Sequence, residues 1–323
     1  MENIGNIKAA IFGEPNPLTI GVLAVFIALI LGTLAAAILP RIQKGKWSDL
    51  GPRMYSWWVI VGVIMAALYF GKLPFIVLFG LISFLALKEY LSLAPTRKED
   101  RPIILLAYSA IIVAYWAIAI DEYPFFLTLV PVYLFLGLAL SMAWIGRTEG
   151  YLATVGIIYW GVVVCVTNVG YVALLMQVPN LELPSPGAVG LVFFLLVITE
   201  VNDVAQYIWG KSFGKHKITP NVSPNKTWEG AIGGFVTTFA LIWFCGPLFT
   251  PLYGLPLAML GMILPIAGFG GDITMSAIKR DLGVKDTSNA LPGHGGILDR
   301  IDSLTFTAPI YFHFLAYFAL EKF

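Results

Sequence analysis

Runs of about twenty apolar residues recur along this chain, and they limit what it can become. A bilayer core takes ~20 apolar residues per helix, with ~17 as a lower bound. Such runs lie near 18–39, 55–71, 74–93, 103–120, 124–145, 151–176, 187–209, 230–250, 253–270 and 303–320, ten in all. The second is short and is expected to pair with the third as a tight hairpin around Gly71-Lys72. A membrane barrel would instead alternate in polarity over strands of ~10 residues. Only 12% of the residues are charged and 58% are apolar, whereas a soluble domain carries ~25% charged residues. These features predict an all-α polytopic integral membrane protein with about ten transmembrane helices. They exclude a disordered chain, a nucleic-acid-binding tail and a soluble two-domain enzyme.

Charge placement orients the spans. Basic residues favour the cytoplasmic side. If the first helix runs inward, the inner side receives 17 of the 20 Lys and Arg residues. Only Lys8, Lys72 and Lys322 stay outside. Both termini are therefore expected outside a cytoplasmic membrane, with the polar segments facing the cytoplasm. The first apolar run is longer than the ~7–15 residues of a signal-peptide core, and basic residues follow it, so no cleavable signal is expected. Cys165 and Cys245 lie in apolar runs and read as buried small hydrophobes.

The two halves differ. Residues 1–186 carry their polar groups in short inner loops and read as a scaffold, with dimerisation as an added role. Residues 187–323 include two long inner segments, 200–229 and 271–302, rich in Gly, Pro, Lys and Asp. No internal repeat is visible, which weakens a transporter built on inverted repeats. A polytopic transporter remains the alternative from another functional class.

In the first segment, Glu200, Asp203, Gln206 and Tyr207 are spaced three and four apart and share one helix face. Carboxylates at the end of a membrane span are costly and mark a functional site by default. The run ending Gly210-Lys211-Ser212 nearly forms a phosphate-binding P-loop, but Ala205 stands where its first glycine belongs. Ser223-Pro-Asn225-Lys226-Thr227 supplies turn formers, a cation and hydroxyls able to cap the next helix. The second segment holds Asp272, Lys279, Arg280, Lys285, Asp286, His294, Asp299, Arg300 and Asp302. Asp299 and Asp302, three apart, would face one metal on a helix. Hard carboxylates with Lys and Arg, and no thiolates, suit Mg²⁺ held together with a polyphosphate.

The stretch Ser276-Ala-Ile-Lys279-Arg280, Lys285-Asp286, Pro292-Gly-His294-Gly295-Gly296, Asp299-Arg300-Ile-Asp302 resembles the signature of the phosphatidate cytidylyltransferases, also called CDP-diglyceride synthases, at every fixed spacing. Asp203, Gly210-Lys211, Gly214-Lys215-His216-Lys217 and SPNKTWEG resemble the family too, so the motif-bearing likeness covers about 200–303. The resemblance implies transfer of CMP from CTP to phosphatidic acid, giving CDP-diacylglycerol and pyrophosphate. It implies a divalent metal on Asp272 and Asp299, with a monovalent cation such as K⁺ beside it. Lys226, Lys279, Arg280, Lys285 and Arg300 would contact phosphates, and His294 would donate to a phosphate or to cytidine. Lys211, Ser223 and Asn225 join the candidate substrate-binding residues. The implied assembly is a membrane homodimer whose protomers each hold a polar funnel open to the cytoplasm and to lipid. A same-fold enzyme acting on another lipid phosphate is the nearer alternative.

Two departures stand out. Met275 occupies a position that is acidic in many bacterial members, which implies altered metal affinity or a different acceptor. Thr287-Ser288-Asn289 follows Lys-Asp where a Gly is frequent. The lipid entrance is expected among the helices around 187–209, 230–250 and 303–320, with Lys211, Lys215 and Lys217 drawing anionic lipid to its rim.

Overall fold

The computed structural model describes residues 16–320, apart from 43–49, 96–99, 147, 180–182, 185, 289 and 291–294. Helices α1 (Pro17–Ile42), α2 (Leu50–Phe70), α3 (Lys72–Leu93), α4 (Arg101–Ala119), α5 (Tyr123–Trp144) and α6 (Tyr151–Gln177) form the N-terminal part. The C-terminal part holds α7 (Ala188–Phe213), α8 (Trp228–Phe249), α9 (Gly254–Asp281), the short α10 (Leu298–Ile301) and α11 (Leu304–Ala319). Among the described residues nine helices are long and apolar enough to cross a membrane, and α11 is a shorter apolar tenth. The chain is an all-α, multi-pass membrane protein.

Helix bounds depart from the apolar runs in an orderly way. α2 begins at Leu50, five residues before its apolar run, and so is a full-length span. α3 follows after Gly71 alone, the expected hairpin. α7 continues to Phe213 and α9 to Asp281, well past the apolar runs. Hydropathy marks where lipid ends, but a helix goes on while its backbone bonds are satisfied internally. In α5, Pro131 lies in a π-helical stretch, Leu129–Leu134. A proline removes a ladder donor and crowds the preceding turn, and a π-bulge accommodates that.

The polar segment 200–229 also folds in a way its composition does not announce. Lys217–Thr219 (β1) and Ser223–Thr227 (β2) form an antiparallel hairpin, with Lys217 opposite Thr227 and Thr219 opposite Ser223. Ser223-Pro-Asn225 is therefore strand and not turn. Glu229 clamps the base of the hairpin, accepting from the Lys215 and His216 amides at 3.0 and 3.3 Å and from His216 Nδ1 at 2.6 Å. Thr227 caps α8 as anticipated, its Oγ1 accepting from the Gly230 amide at 3.2 Å.

Buried polar side chains join the C-terminal helices. Asn202 on α7 donates to the Pro265 carbonyl on α9 at 3.3 Å and accepts from Thr238 Oγ1 on α8 at 3.1 Å. Thr199 and Thr307 share a 2.9 Å hydrogen bond between α7 and α11. Such bonds are worth ~0.6–2 kcal/mol between membrane helices. They fix the rotation of α7, and with it the face that carries Asp203.

Candidate active site

One cavity of about 630 Å³ gathers α7, the hairpin, the start of α8, the end of α9 and the 286–302 stretch. Asp203, Gln206, Tyr207 and Lys211 reach it from α7, and Ser223, Asn225 and Lys226 from β2. Asp272 and Lys279 reach it from α9, and Asp286, Asp299, Arg300 and Asp302 from beyond. The two polar segments, separated by α8 and most of α9, thus converge on one cavity.

Gly271 makes part of this convergence possible. A Cβ there would lie 2.6 Å from the Asp302 carbonyl oxygen and 3.1 Å from Ser303 Cα. Only glycine lets α9 approach the 302–303 backbone that closely. Asp272 and Asp302 come onto one wall as a result.

The charges are paired across elements. Lys226 forms an ion pair with Asp272 and donates to Gln206 Oε1 at 3.0 Å. Burial alone would lower the Lys226 pKa, but Asp272 and Asp203 outweigh it and hold it above the usual lysine value. Ser276 Oγ donates to Asp272 at 3.3 Å, although Asp272 and Ser276 come from α9 and not from a loop. Lys279 donates to Asp299 Oδ1 at 2.7 Å, and both are nearly buried. Asp299 Oδ2 accepts from Thr287 N at 2.8 Å, Thr287 Oγ1 at 2.9 Å and Gly296 N at 2.9 Å. Burial opposes the Asp299 charge, yet these donors and Lys279 hold its carboxyl below the usual carboxylate range. Asp302 has the reverse balance: burial, then the charges of Asp272 and Asp203, push its carboxyl upward.

Two expected ligand residues lie off the cavity wall, and a third lies outside the described residues. Arg280 is one step around α9 from Lys279, which turns it ~100° away, and it donates to the Val222 and Val284 carbonyls at 3.2 and 2.8 Å. It ties the hairpin to the end of α9 and does not line the cavity. Lys285 is exposed beyond that helix end and does not line it either. His294 lies outside the described residues, as do Pro292 and Gly293. Met275 is 2% exposed and packs in the apolar core, so its side chain replaces no group on the cavity wall.

Sequence reasoning missed Glu89. This residue sits near the C-terminal end of α3 and accepts four hydrogen bonds from the 287–298 stretch. The donors are Thr287 Oγ1 at 3.0 Å, Ser288 Oγ at 2.7 Å, Ile297 N at 3.0 Å and Leu298 N at 2.9 Å. Thr287 Oγ1 also meets Asp299, so Glu89 and Asp299 grip the same residue. At Gly296 a Cβ would collide with both Thr287 and Glu89, which accounts for glycine there. The available signal was a lone carboxylate in an apolar run, the rule that marked Glu200 and Asp203. The departure at Thr287-Ser288 supplies the two hydroxyls that bind it.

The wall suits a divalent cation bound with a polyphosphate. Five carboxylates and five cationic side chains line the cavity, so its own charges nearly cancel. A triphosphate entering alone would meet as many anions as cations. Asp203 Oδ1 is buried without a hydrogen-bond partner, and Asp302 is crowded by Asp203 and Asp272. Added positive charge would relieve both. Among the described residues no three His, Cys, Asp or Glu side chains form a ready metal cage. Mg²⁺ commonly takes one or two carboxylates and completes its shell with water and substrate phosphates, which matches this arrangement.

Residues 51–318 match the model of a family described as the cytidylyltransferase family. An Escherichia coli (strain K12) protein named "Uncharacterized protein YnbB" is 42% identical over 293 residues, 90% of this chain and 96% of that protein. A Pseudomonas aeruginosa "Phosphatidate cytidylyltransferase" is 43% identical over 128 residues, 39% of this chain and 47% of its own length. A Bacillus subtilis (strain 168) protein of the same name is 41% identical over 133 residues, 40% of this chain and 48% of its own length. The match thus spans about half the length of these two relatives.

Proposed function

Because the chain belongs to the cytidylyltransferase family, we propose that it transfers CMP from CTP to phosphatidic acid, forming CDP-diacylglycerol and releasing pyrophosphate. The observation that carries this reading is the single cavity lined by the Lys226–Asp272 and Lys279–Asp299 pairs among membrane helices. Its lining is chemically suited to phosphates.

A phosphate oxygen of the acceptor attacks the α-phosphorus of CTP, and the bond from that phosphorus to the pyrophosphate oxygen breaks. Asp272 and Asp299 are the proposed carboxylates for Mg²⁺, with Asp302 and Asp203 beside them and K⁺ as a companion ion. The metal, when bound, neutralises charge on the phosphates. Lys226 and Lys279, each paired with an aspartate in the cavity, would hold phosphate oxygens, while those aspartates would hold the ion. Arg300 lines the same wall and stabilises the equatorial oxygens. Ser223 and Asn225 donate to the nucleotide side of the cavity, and Lys211 meets the anionic headgroup of the acceptor. No general base is required, because a phosphate monoester is already largely ionised near pH 7.

The basic-residue asymmetry supports a cytoplasmic-membrane location with the cavity facing the cytoplasm and both termini outside. A homodimer is the proposed assembly. The test is purified protein with labelled CTP and a panel of lipid phosphates. Mg²⁺-dependent pyrophosphate release with phosphatidic acid is the expected result. Release with another lipid phosphate and none with phosphatidic acid would reassign the acceptor. No release with any acceptor would reject the reaction.

A further inference from the structure

A second cavity, about 390 Å³, lies between α1, α2 and α7. Val25, Ala28, Trp57, Val197 and their neighbours make it apolar, and Glu200 is its one charged residue. It lies on a different side of α7 from the expected lipid entrance. The seam between α7 and α8 is closed: a Cβ on Gly234 would meet the Gln206 backbone at 3.1 Å, and one on Gly233 would collide with Trp209.

This groove adjoins the polar cavity. Glu200 lines the groove, while Asp203, Gln206 and Tyr207, on the same helix, line the polar cavity. The charges acting on Glu200 come from Asp203, Arg300 and Asp302, all residues of the polar wall. Along α7 the groove extends from Phe193 to Val204. At ~1.5 Å per residue that is about 16 Å, close to one leaflet of a ~30 Å hydrocarbon core. One wall, α1, precedes the residues the family model matches, so the groove is not built from that shared region alone.

We propose that the α1–α2–α7 groove binds one hydrocarbon chain of the acceptor lipid, with Glu200 marking the seam where chain gives way to headgroup. This rests on the reading that the acceptor is a lipid phosphate. A phosphate held in the polar cavity leaves its glycerol backbone beside Glu200, and the nearest apolar channel from there is the groove. The second chain stays in the bilayer. Ordinary membrane lipid and a second copy of the chain are the competing occupants.

Ala28→Trp on α1 and Val197→Trp on α7 fill the groove from opposite walls, so the loss of one variant to misfolding leaves the other. With dioleoyl phosphatidic acid, KM should rise about tenfold, while KM for dihexanoyl phosphatidic acid and for CTP changes little. An equal rise for both acceptors, or no rise, would overturn the groove. A second arm reads binding without turnover. Phosphatidic acid with a tail-end diazirine should crosslink to α1 and α7 in the wild-type protein, and excess dioleoyl phosphatidic acid should compete. Equal competition by phosphatidylcholine would assign the groove to ordinary lipid, and absence of the crosslink would also overturn the proposal. A disulfide joining two copies of Ala28→Cys would assign it to a dimer interface and overturn it too. If the wild-type protein turns over no phosphatidic acid, the functional reading fails, and the crosslink still decides what the groove takes.

Discussion

The first two helices and α7 solve burial in opposite ways. The most apolar stretches of α1 and α2 are 6% and 17% buried, against 67% for α7. Leu23, Leu31 and Val59 are exposed, as suits helices whose neighbour is lipid. α7 faces protein on most sides and carries Thr199, Asn202, Asp203 and Gln206 inward. The lesson is that hydropathy treats both alike, while the polar residues separate the helix that floats from the helix that positions chemistry. Glu89 is the exception that joins the regions, a carboxylate on an N-terminal helix committed to a C-terminal loop.

Asp272→Asn tests the catalytic side of that contrast and should have the largest effect. It removes a charge that holds Lys226, and kcat should fall by ~10³ or more, several kcal/mol of charge stabilisation. Membrane insertion should be unchanged. Pyrophosphate release near the wild-type rate would remove this carboxylate from the metal site.

Glu89→Ala tests the bridge. Ser288 Oγ and the Ile297 and Leu298 amides lose their acceptor, while Thr287 keeps Asp299, so the loop loses its anchor on α3. Residues that orient metal ligands from behind typically matter ~10–100-fold, so activity should drop by that much and the Mg²⁺ concentration for half-maximal rate should rise. Glu89→Gln, which keeps one accepting oxygen, should recover part of it. A variant with lowered melting temperature but unaltered Mg²⁺ dependence would reduce Glu89 to a packing role.

Neutralising Lys211 and Lys217, which line the cavity, should act more weakly. Each surface lysine contributes ~1 kcal/mol toward anionic lipid, so KM for phosphatidic acid should rise several-fold per residue. KM for CTP should rise less, and equal rises would place both lysines on the nucleotide.

The smallest effects compare buried hydrogen bonds in the two regions. Ser83→Ala breaks the 2.7 Å bond to Tyr115 in the N-terminal part, and Thr238→Val breaks the bond to Asn202. Each should cost ~1 kcal/mol in thermal unfolding in detergent. Only Thr238→Val should also lower kcat, because Asn202 sets the rotation of α7. Equal kinetic effects would erase the distinction between the regions.

The spans were legible because lipid imposes one length and one polarity on every helix that crosses it. The carboxylates and lysines of the site were legible because such groups are rare beside a bilayer. What stayed hidden were the features made by contact. Nothing in Lys217–Thr219 and Ser223–Thr227 alternates strongly enough to announce a hairpin, and its position depends on Glu229 capturing the Lys215 and His216 amides. Arg280 follows Lys279, which lines the cavity, but a single step around α9 directs it to backbone carbonyls. Glu89 meets Thr287 across nearly two hundred residues of sequence, beyond the reach of any local pattern.

That last distance has a consequence for biogenesis. α3 enters the membrane long before residues 287–298 are synthesised, and until they arrive Glu89 is a solitary acid near the end of an apolar helix. Domains form in the order of synthesis, so the N-terminal helices wait with one of their polar needs unmet. A nascent chain that stops short of residue 287 leaves that carboxylate without the four donors it later receives, a costly group at the end of an apolar helix. Closure of the loop onto Glu89 thus gives that carboxylate its donors and fastens the C-terminal loop to an N-terminal helix.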